Sequence, residues 1–225
     1  MRNGFRLLTI LFAAIFLCCC QGCADASKSD PAPTGSEPAF DSHADVGKID
    51  HPGAHQYNAE RHEYRITGSG ANIWAKEDAF HFVYRKTSGD VELSADITFV
   101  GEGKNAHRKG CCMIRQSLDA DAAYVDVAVH GDGSIGMQYR KTKGDITDQV
   151  KCPIKAPATV RLERKGDAFT LWYAVKGEQF QSVGPVTVSM KDPVFTGLVV
   201  SAHDAAVSET AIFSNVALKI KSNER

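Results

Sequence analysis

The chain has 225 residues, of which 43% are hydrophobic and 24% are charged, and its formal net charge is −1. This length allows one or two domains with a sizeable core. The near-neutral charge excludes a general nucleic-acid binder, which needs a basic face to displace phosphate counterions. With 19 glycines and only four methionines, alongside many β-branched residues, the composition favours β structure.

The N-terminus has the pattern of an export signal. Arg2 and Arg6 precede an apolar run at residues 7–17, and about 11 apolar residues are typical of a signal peptide. The run is too short to span a bilayer, which takes roughly 20 residues. The cysteines behind it resemble the lipobox of bacterial lipoproteins, in which the new N-terminal cysteine is lipid-modified. We predict lipidation at Cys23, with Cys20 as the second choice and an ordinary secretory signal as the alternative.

The next segment is polar and aperiodic. Residues 24–55 are rich in Pro, Ser, Ala, Asp and Gly, which is typical of a flexible tether. Such a spacer would hold a folded domain away from a membrane surface. The predicted organisation is therefore a lipoprotein-type signal at 1–23, a tether at 24–55 and a folded domain at 56–222. This plan places the protein outside the cytoplasm, in the periplasm or lipid-anchored at a bacterial cell envelope.

From Tyr57 onward, apolar and polar residues alternate with a period of two, which indicates strands. The longest run covers residues 91–99. The turns at 131–134 and 165–167 contain Gly and Asp and predict two hairpins. No segment carries an apolar helix stripe. About a dozen short antiparallel strands predict one all-β domain, a β-sandwich or jelly roll.

Several motifs of this region are shared with one family. They occupy residues 64–74 (YRITGSGANIW), 78–82, 88–90, 107–109, 113–118, 124–132, 138–140, 203–204 and 210–216. Together, over residues 56–220, they resemble a family of concanavalin A-like (LamG-like) jelly-roll domains of unknown function in bacterial secreted proteins. Relatives occur beside Tol-type biopolymer-transport propellers or at the C-terminus of some β-xylosidases, and 3-keto-disaccharide hydrolase domains are distant kin. The resemblance implies the fold, but jelly rolls carry many activities.

One pair of residues departs from that family pattern. Cys111 and Cys112 stand where a small and an aliphatic residue are usual. With Cys152 they are the cysteines of the predicted folded domain, in a compartment where disulfides persist. Three thiols allow at most one bridge, from Cys152 to either neighbour, and simple buried thiols are the alternative.

The candidate ligand surface follows from alternation along neighbouring strands. If Val125, Val127 and Val129 fill the core, the residues between them lie on the other face. We predict there a groove with an aromatic ring, a carboxylate, an imidazole, an amide and guanidinium groups: Arg115, Tyr124, Asp126, His130, Gln138 and Arg140. Planar polar groups with an aromatic platform suit sugars. The alternative is a solvated outer sheet with cross-strand ion pairs.

Ordinary glycoside hydrolysis needs two carboxylates about 5 to 10 Å apart. Laminarinase-type jelly rolls carry them as Glu-x-Asp-x-x-Glu, and this sequence has no such run. A lyase-like or keto-sugar mechanism stays open, with His130 or His203 as general base and Arg140 stabilising an oxyanion.

Metal ligands and tryptophans give weaker indications. Four histidines of the domain are scattered without HExxH or paired CxxC spacing, so no zinc site is predicted: His81, His107, His130 and His203. A structural calcium ion is an alternative to plain turn roles for three aspartates: Asp90, Asp132 and Asp204. Trp74 is expected to anchor a strand in the core. Trp172 is out of phase with its apolar neighbours, and its two predicted roles are an exposed ring that stacks on a ligand and a ring that covers a second sheet.

Three functions compete on these observations. The leading hypothesis is an exported, lipid-anchored carbohydrate-binding jelly roll without catalysis, whose partner is a polysaccharide or oligosaccharide. The second is a sugar-active enzyme related to the keto-disaccharide hydrolases, acting through His130, Arg140 and Asp126. The third is an envelope scaffold for protein interactions.

Overall fold

The computed structural model describes Met1 and residues 37–221, so the predicted signal, the lipidation site and residues 24–36 of the predicted tether lie outside the described residues. All regular structure in this part is β. The strands are β1 (Ser42–Val46), β2 (Ala54–Asn58), β3 (Glu63–Gly70), β4 (Ile73–Trp74), β5 (Glu77–Asp78), β6 (Phe80–Thr87), β7 (Asp90–Phe99), β8 (Lys109–Arg115), β9 (Tyr124–His130), β10 (Ser134–Arg140), β11 (Asp148–Lys155), β12 (Thr159–Lys165), β13 (Ala168–Ala174), β14 (Gln181–Thr187), β15 (Val194–Ser201) and β16 (Asp204–Lys221).

Fourteen of these strands form two antiparallel sheets of seven. The first sheet has the order β1-β6-β15-β8-β9-β10-β11, and the second has the order β14-β13-β12-β7-β16-β3-β2. The all-β jelly-roll sandwich predicted from alternation is therefore confirmed. The strand count exceeds the expected dozen because short edge strands and the β4–β5 hairpin carry no apolar run of their own.

The main core lies between the sheets. The alternating residues of β7 and β9 enter it as predicted, with Leu93 from the second sheet and Val125, Val127 and Val129 from the first. The predicted hairpins β9–β10 and β12–β13 are also present, with registers that pair Val127 with Met137 and Leu162 with Leu171.

A second apolar cluster covers the outer face of the first sheet, which is the face turned away from the second sheet. Phe80, Phe82 and Met113 lie on that face, and Ile73 of the β4–β5 hairpin packs onto them. This hairpin therefore covers the middle of the outer face, which determines what can reach it.

The prediction of a flexible tether is wrong for residues 37–55, the part that the structure describes. Phe40 is buried in the main core, and β1 pairs with β6 from Ser42 to Val46. β2 starts at Ala54 and pairs with β3. Both strands are short edge strands rich in polar residues, so the sequence gives no apolar signal, and pairing to a neighbour creates the structure. Among the described residues, no helix has the length and hydrophobicity to cross a membrane.

Candidate functional site

The six predicted ligand residues do share one face. β9 and β10 pair so that Tyr124 faces Arg140 and Asp126 faces Gln138, while Arg115 of β8 pairs with Tyr124. The prediction of an open groove is nevertheless wrong, because all six side chains are buried. The segment around β4 and β5 covers this face, and the residues fall into two groups with different chemistry.

The first group is an ion cluster centred on Asp78, a residue without a role in the sequence-based hypothesis. Its carboxylate accepts two hydrogen bonds of 2.7 Å from Arg140, and the Arg115 guanidinium lies 3.4 Å away. Burial raises the pKa of Asp78 despite these two cations. Tyr124 completes the cluster, since its ring lies under Arg140 and its hydroxyl bonds Thr147.

The Arg140 guanidinium has no N–H left for a ligand, and Arg115 is bonded to the chain around it. Every N–H of Arg140 has an acceptor, from Asp78, Thr147 and main-chain carbonyls. Arg115 donates to the carbonyls of Ser117 and Asp119. Arg115, Tyr124 and Arg140 therefore act structurally here, where they hold the covering loops against the sheet. The predicted role of Arg140 in stabilising an oxyanion is incompatible with this geometry.

The second group consists of Asp126, Gln138 and His130, with Lys109 of β8 beside them. Within residues 37–221, neither carboxylate oxygen of Asp126 nor the Gln138 Oε1 has a hydrogen-bond partner. Burial raises the pKa of Asp126 to about 8, although Lys109 opposes this shift. Burial, helped by the Lys109 charge, lowers the pKa of His130 to about 4. Buried polar atoms without partners mark a place for water or a ligand group, but all of these side chains are covered.

The remaining predicted ligands have local roles. Asp132 accepts hydrogen bonds from the main chain and hydroxyl of Ser134, Asp90 accepts from Gly166, and Asp204 accepts from Ala206. These are the turn contacts expected for aspartates at Gly-rich corners.

The histidines are less scattered than expected. The rings of His107, His130 and His203 lie 5.4–6.2 Å apart in successive pairs, whereas His81 lies elsewhere, at the β1 edge of the first sheet.

The two tryptophans differ in exposure and in their partners. Trp74 is 36% exposed and lies on the β4–β5 hairpin, so its predicted place in the core is wrong, and Ile73 is buried instead. Trp172 is half-buried on the outer face of the second sheet, where its Nε1 donates to Glu163. Trp172 therefore has a structural partner, and Trp74 is the more accessible ring.

The cysteines of the described region are free thiols. Cys112 points into the main core, and Cys111 points to the outer face of the first sheet. Burial raises the pKa of both thiols, which makes them unreactive. Cys152 packs against the main core and is also free. The structure therefore contains the free thiols that were the alternative to a bridge from Cys152 to Cys111 or Cys112.

An accessible groove lies on the second sheet. It has a volume of about 600 Å³ and is formed where β7, β12 and β16 meet the β13–β14 turn. We call it the Phe180 groove, after the half-buried aromatic ring that lines it, together with Asp96, Thr159, Val175 and Asn215. Its size and its mixture of apolar and polar groups fit a small-ligand site.

The polar groups of the Phe180 groove are held in place. The Asp96 carboxylate accepts hydrogen bonds from the Thr159 hydroxyl and, at 2.7 Å, from the Asn215 amide. Asn215 has a positive φ of 52° at a bulge in β16, a conformation that asparagine tolerates better than most residues. An ionised carboxylate offers about four lone-pair sites, so two remain for ligand hydroxyls.

The aromatic ring is supported from the neighbouring strand. The Arg161 guanidinium lies 4.0 Å from the Phe180 ring centroid, a cation–π contact that fixes the ring position. No sequence motif predicts this site, because its members are separated by up to 119 residues. The only local signals were the polar phase of Asp96 in β7 and the Ser-Asn interruption of β16.

A second open groove, of about 770 Å³, lies at the opposite edge of the same sheet. It is lined mainly by charged and amide side chains, among them Gln56, Arg61 and Arg65. Tyr57 also lines it, but this ring packs onto Tyr64 in the core direction. The lining of this groove is more strongly charged than that of the Phe180 groove.

Comparison with known proteins supports the fold. No protein-family profile and no curated protein matches the chain. Among solved structures, the carbohydrate-binding module CBM66 from Bacillus subtilis has a TM-score of 0.51 and 18% identity, over 80% of this chain and 97% of that one. Lectin II from Ulex europaeus has a TM-score of 0.52 and 8% identity, over 82% and 95%. The GH43 protein BlXynB from Bacillus licheniformis has a TM-score of 0.57 and 10% identity, over 83% of this chain and 38% of that protein.

These similarities establish a jelly-roll sandwich of the concanavalin A-like type. At such low identities they carry the fold alone. The narrower family resemblance and its kinship to keto-disaccharide hydrolases stay predictions.

Proposed function

We propose that this protein is an exported, lipid-anchored carbohydrate-binding module whose ligand site is the Phe180 groove. The observation that carries the proposal is the pairing of an accessible aromatic ring with the fixed Asp96–Asn215 pair in one open groove. A sugar offers an apolar ring face to the aromatic group and hydroxyls to the carboxylate and amide. Solved relatives of the fold that are named as a carbohydrate-binding module and a lectin support the same class of ligand.

The proposed site differs from the one predicted from sequence, because the predicted residues are buried and those of the Phe180 groove are accessible. Arg115, Tyr124 and Arg140 are buried and internally bonded, whereas Phe180 and Asn215 border open space. A polysaccharide chain is long and hydrated, so it requires a surface that it can reach without unfolding a covering hairpin.

The test is retention of the purified chain on a panel of immobilised polysaccharides and on a glycan array. We expect at least one glycan to retain the wild-type protein. Phe180→Ala should weaken that retention about tenfold, because losing one aromatic–sugar contact costs about 1.4 kcal/mol. Asp96→Ala should weaken it by a similar factor.

Two control variants separate this site from other surfaces. Trp74→Ala removes an exposed ring on the opposite sheet, and Arg61→Ala removes a charged group of the second groove. Both should bind glycans like the wild type. Lack of retention on every glycan would contradict carbohydrate binding, and loss only in Trp74→Ala would move the site to the β4–β5 hairpin.

A sugar-active enzyme is the second candidate, favoured by the opposite pKa shifts of Asp126 and His130. Both residues lie on β9, four positions apart, and both are affected by the charge of Lys109. Strongly perturbed pKa values are enriched at catalytic sites. In this case, Asp126 would be the proton donor and His130 the acceptor, without Arg140. Turnover of a 3-keto-glycoside that disappears in His130→Ala would support catalysis. Glycan retention without turnover would support a binding module and contradict the enzyme.

A further inference from the structure

Three histidines meet at the edge where the two sheets are held together by the N-terminal strands. His43 lies on β1 and His81 on β6 of the first sheet, while His55 lies on β2 of the second sheet. One ring nitrogen from each residue lies within 4.8 Å of the other two. The ring centroids are 4.6 Å apart for His43 and His55, and 5.5 Å apart for His43 and His81.

From this geometry we propose that His43, His55 and His81 form a binding site for a divalent transition-metal ion, with zinc as the expected ion. Neutral imidazole nitrogens are the common protein ligands of zinc, copper and nickel. The site goes beyond carbohydrate binding, because its residues lie on different strands from the Phe180 groove and share no side chain with it.

His81 is oriented as a metal ligand would be. Its Nδ1 makes a 2.7 Å hydrogen bond to Asp45, so Nε2 is the nitrogen left for a metal. The His81 side chain is only 1% exposed, and its Nε2 has no hydrogen-bond partner among the described residues. Burying an unpaired polar atom costs free energy, and a metal ion would remove that cost. A carboxylate on the far nitrogen is the usual support of a metal-bound histidine.

The surrounding chain is built around this ring. Asp45 also accepts hydrogen bonds from the Gly53 amide through both carboxylate oxygens. Gly53 passes so close to His81 that a Cβ at this position would lie 2.2 Å from the ring atoms Cγ and Nδ1. A side chain at residue 53 would therefore displace the imidazole, and glycine permits the close approach.

The other two ligands can complete the coordination. Tetrahedral zinc with bonds of about 2.0–2.1 Å places its nitrogen ligands about 3.4 Å apart. His43 is exposed and His55 is half-buried, so rotation of these side chains can close the spacing around a fixed His81. Three ligands and an exposed side leave one coordination position for water.

Metal binding would have a structural consequence as well. His43 and His81 belong to one sheet and His55 belongs to the other, so a bound ion would connect the two sheets at their open edge. Any species that binds the folded state alone stabilises it. The ion should therefore raise the melting temperature.

The test uses the full-length chain without a polyhistidine tag, stripped with a chelator and titrated with ZnSO4 in a calorimeter. CoCl2 serves as a spectroscopic probe of coordination. We expect one equivalent to bind, with tetrahedral Co²⁺ absorption bands that zinc displaces, and a melting temperature that rises with zinc. His43→Ala and His55→Ala should each weaken zinc binding about 10- to 100-fold, and Asp45→Asn, which removes the support of His81, should weaken it within the same range.

His107→Ala is the matched control, because it removes an exposed histidine from the other histidine group. It should bind zinc like the wild type. Circular dichroism of the metal-free variants verifies that His43→Ala and His55→Ala remain folded, which their exposure favours. The proposal is overturned if the wild type binds no stoichiometric zinc, or if the His43→Ala/His55→Ala double variant binds zinc with unchanged affinity.

Discussion

The Asp78 carboxylate holds an ion cluster together on the outer face of the first sheet. It pairs with Arg140 and Arg115 beneath the covering loops, and all three side chains are less than 3% exposed. Taking three charges out of water is expensive, so the cluster adds little net stability as a whole. Losing one partner is costly, however, because the remaining charges stay buried without compensation.

We expect Asp78→Asn to destabilise the protein by about 3 kcal/mol. The substitution keeps the volume of the side chain and removes only its charge, so two guanidinium groups are left with a neutral partner. Urea unfolding measures the difference. Asp41→Asn is the control, because Asp41 pairs with Arg85 at 3.7 Å on the surface, and its loss should change stability by less than about 0.5 kcal/mol. Equal effects of both variants would contradict a buried ion cluster.

Asp126 predicts a dependence of stability on pH. Burial holds the carboxyl pKa at about 8 in the folded protein, with Lys109 and Cys111 as its charged and thiol neighbours. In the unfolded chain the pKa is near 3.9. Between these values the folded state holds a proton that the unfolded state has lost. This contribution is therefore complete below about pH 4 and declines as the pH rises to 8, by up to about 1.4 kcal/mol per pH unit.

Asp126→Asn imitates the protonated carboxyl group at every pH. Its stability relative to the wild type should therefore increase steadily from pH 4 to pH 8. Denaturant unfolding of the two proteins across that range measures the difference. A difference that is constant with pH would show that Asp126 is ionised in the folded protein, as an ion pair with Lys109.

At the scale of elements, sequence patterns predicted what each strand does but not what covers it. Alternation placed Asp126 and Gln138 opposite the core valines, and the turns placed the β9–β10 hairpin. Burial of that face depends on the β4–β5 hairpin, which reaches it from a distant part of the chain: Asp78 and Arg140 are 62 residues apart. No local pattern encodes such a contact, so the face looked like an open groove.

The same limit explains the N-terminal strands. β1 and β2 have compositions typical of a linker, SHADV and AHQYN, and become strands because the edges of two completed sheets offer unpaired main-chain groups. The histidine group was missed for this reason. His43 and His55 were assigned to the tether, and their proximity to His81 arises only when both edges are paired.

Phe40 tests whether this N-terminal region belongs to the folded domain. It is 5% exposed, and its ring lies 5.4 Å from that of Tyr64. We expect Phe40→Ala to reduce the free energy of unfolding by about 3 kcal/mol. In a flexible tether the same change would have no effect on stability. Ala54→Ser, at an exposed position of β2, is the control and should leave the unfolding midpoint unchanged. Identical unfolding midpoints for the wild type, Phe40→Ala and Ala54→Ser would show that Phe40 lies in a flexible tether.

At the scale of the whole molecule, function depends on where the domain is held. The grooves of the second sheet and the histidine group at the sheet edge do not determine where the domain is located. The N-terminal sequence instead predicts export and attachment to a membrane. Anchoring by acyl chains is stable only when more than one chain inserts, as in a lipoprotein whose N-terminal cysteine carries several. An anchored binding module would increase the local concentration of glycan at the envelope surface.

Cys23 is the residue on which this localisation depends. We expect the wild-type chain, expressed in a bacterium with a lipoprotein pathway, to incorporate labelled palmitate and to sediment with membranes. Cys23→Ser should lose the label and leave the membrane fraction as a released or unprocessed form, because no thiol is available for acylation. Cys20→Ser is the matched control and should behave like the wild type. Loss of label in Cys20→Ser alone would move the acylation site to residue 20. A wild type without label would indicate an ordinary secretory signal, and the glycan-binding domain would then act as a soluble exported protein.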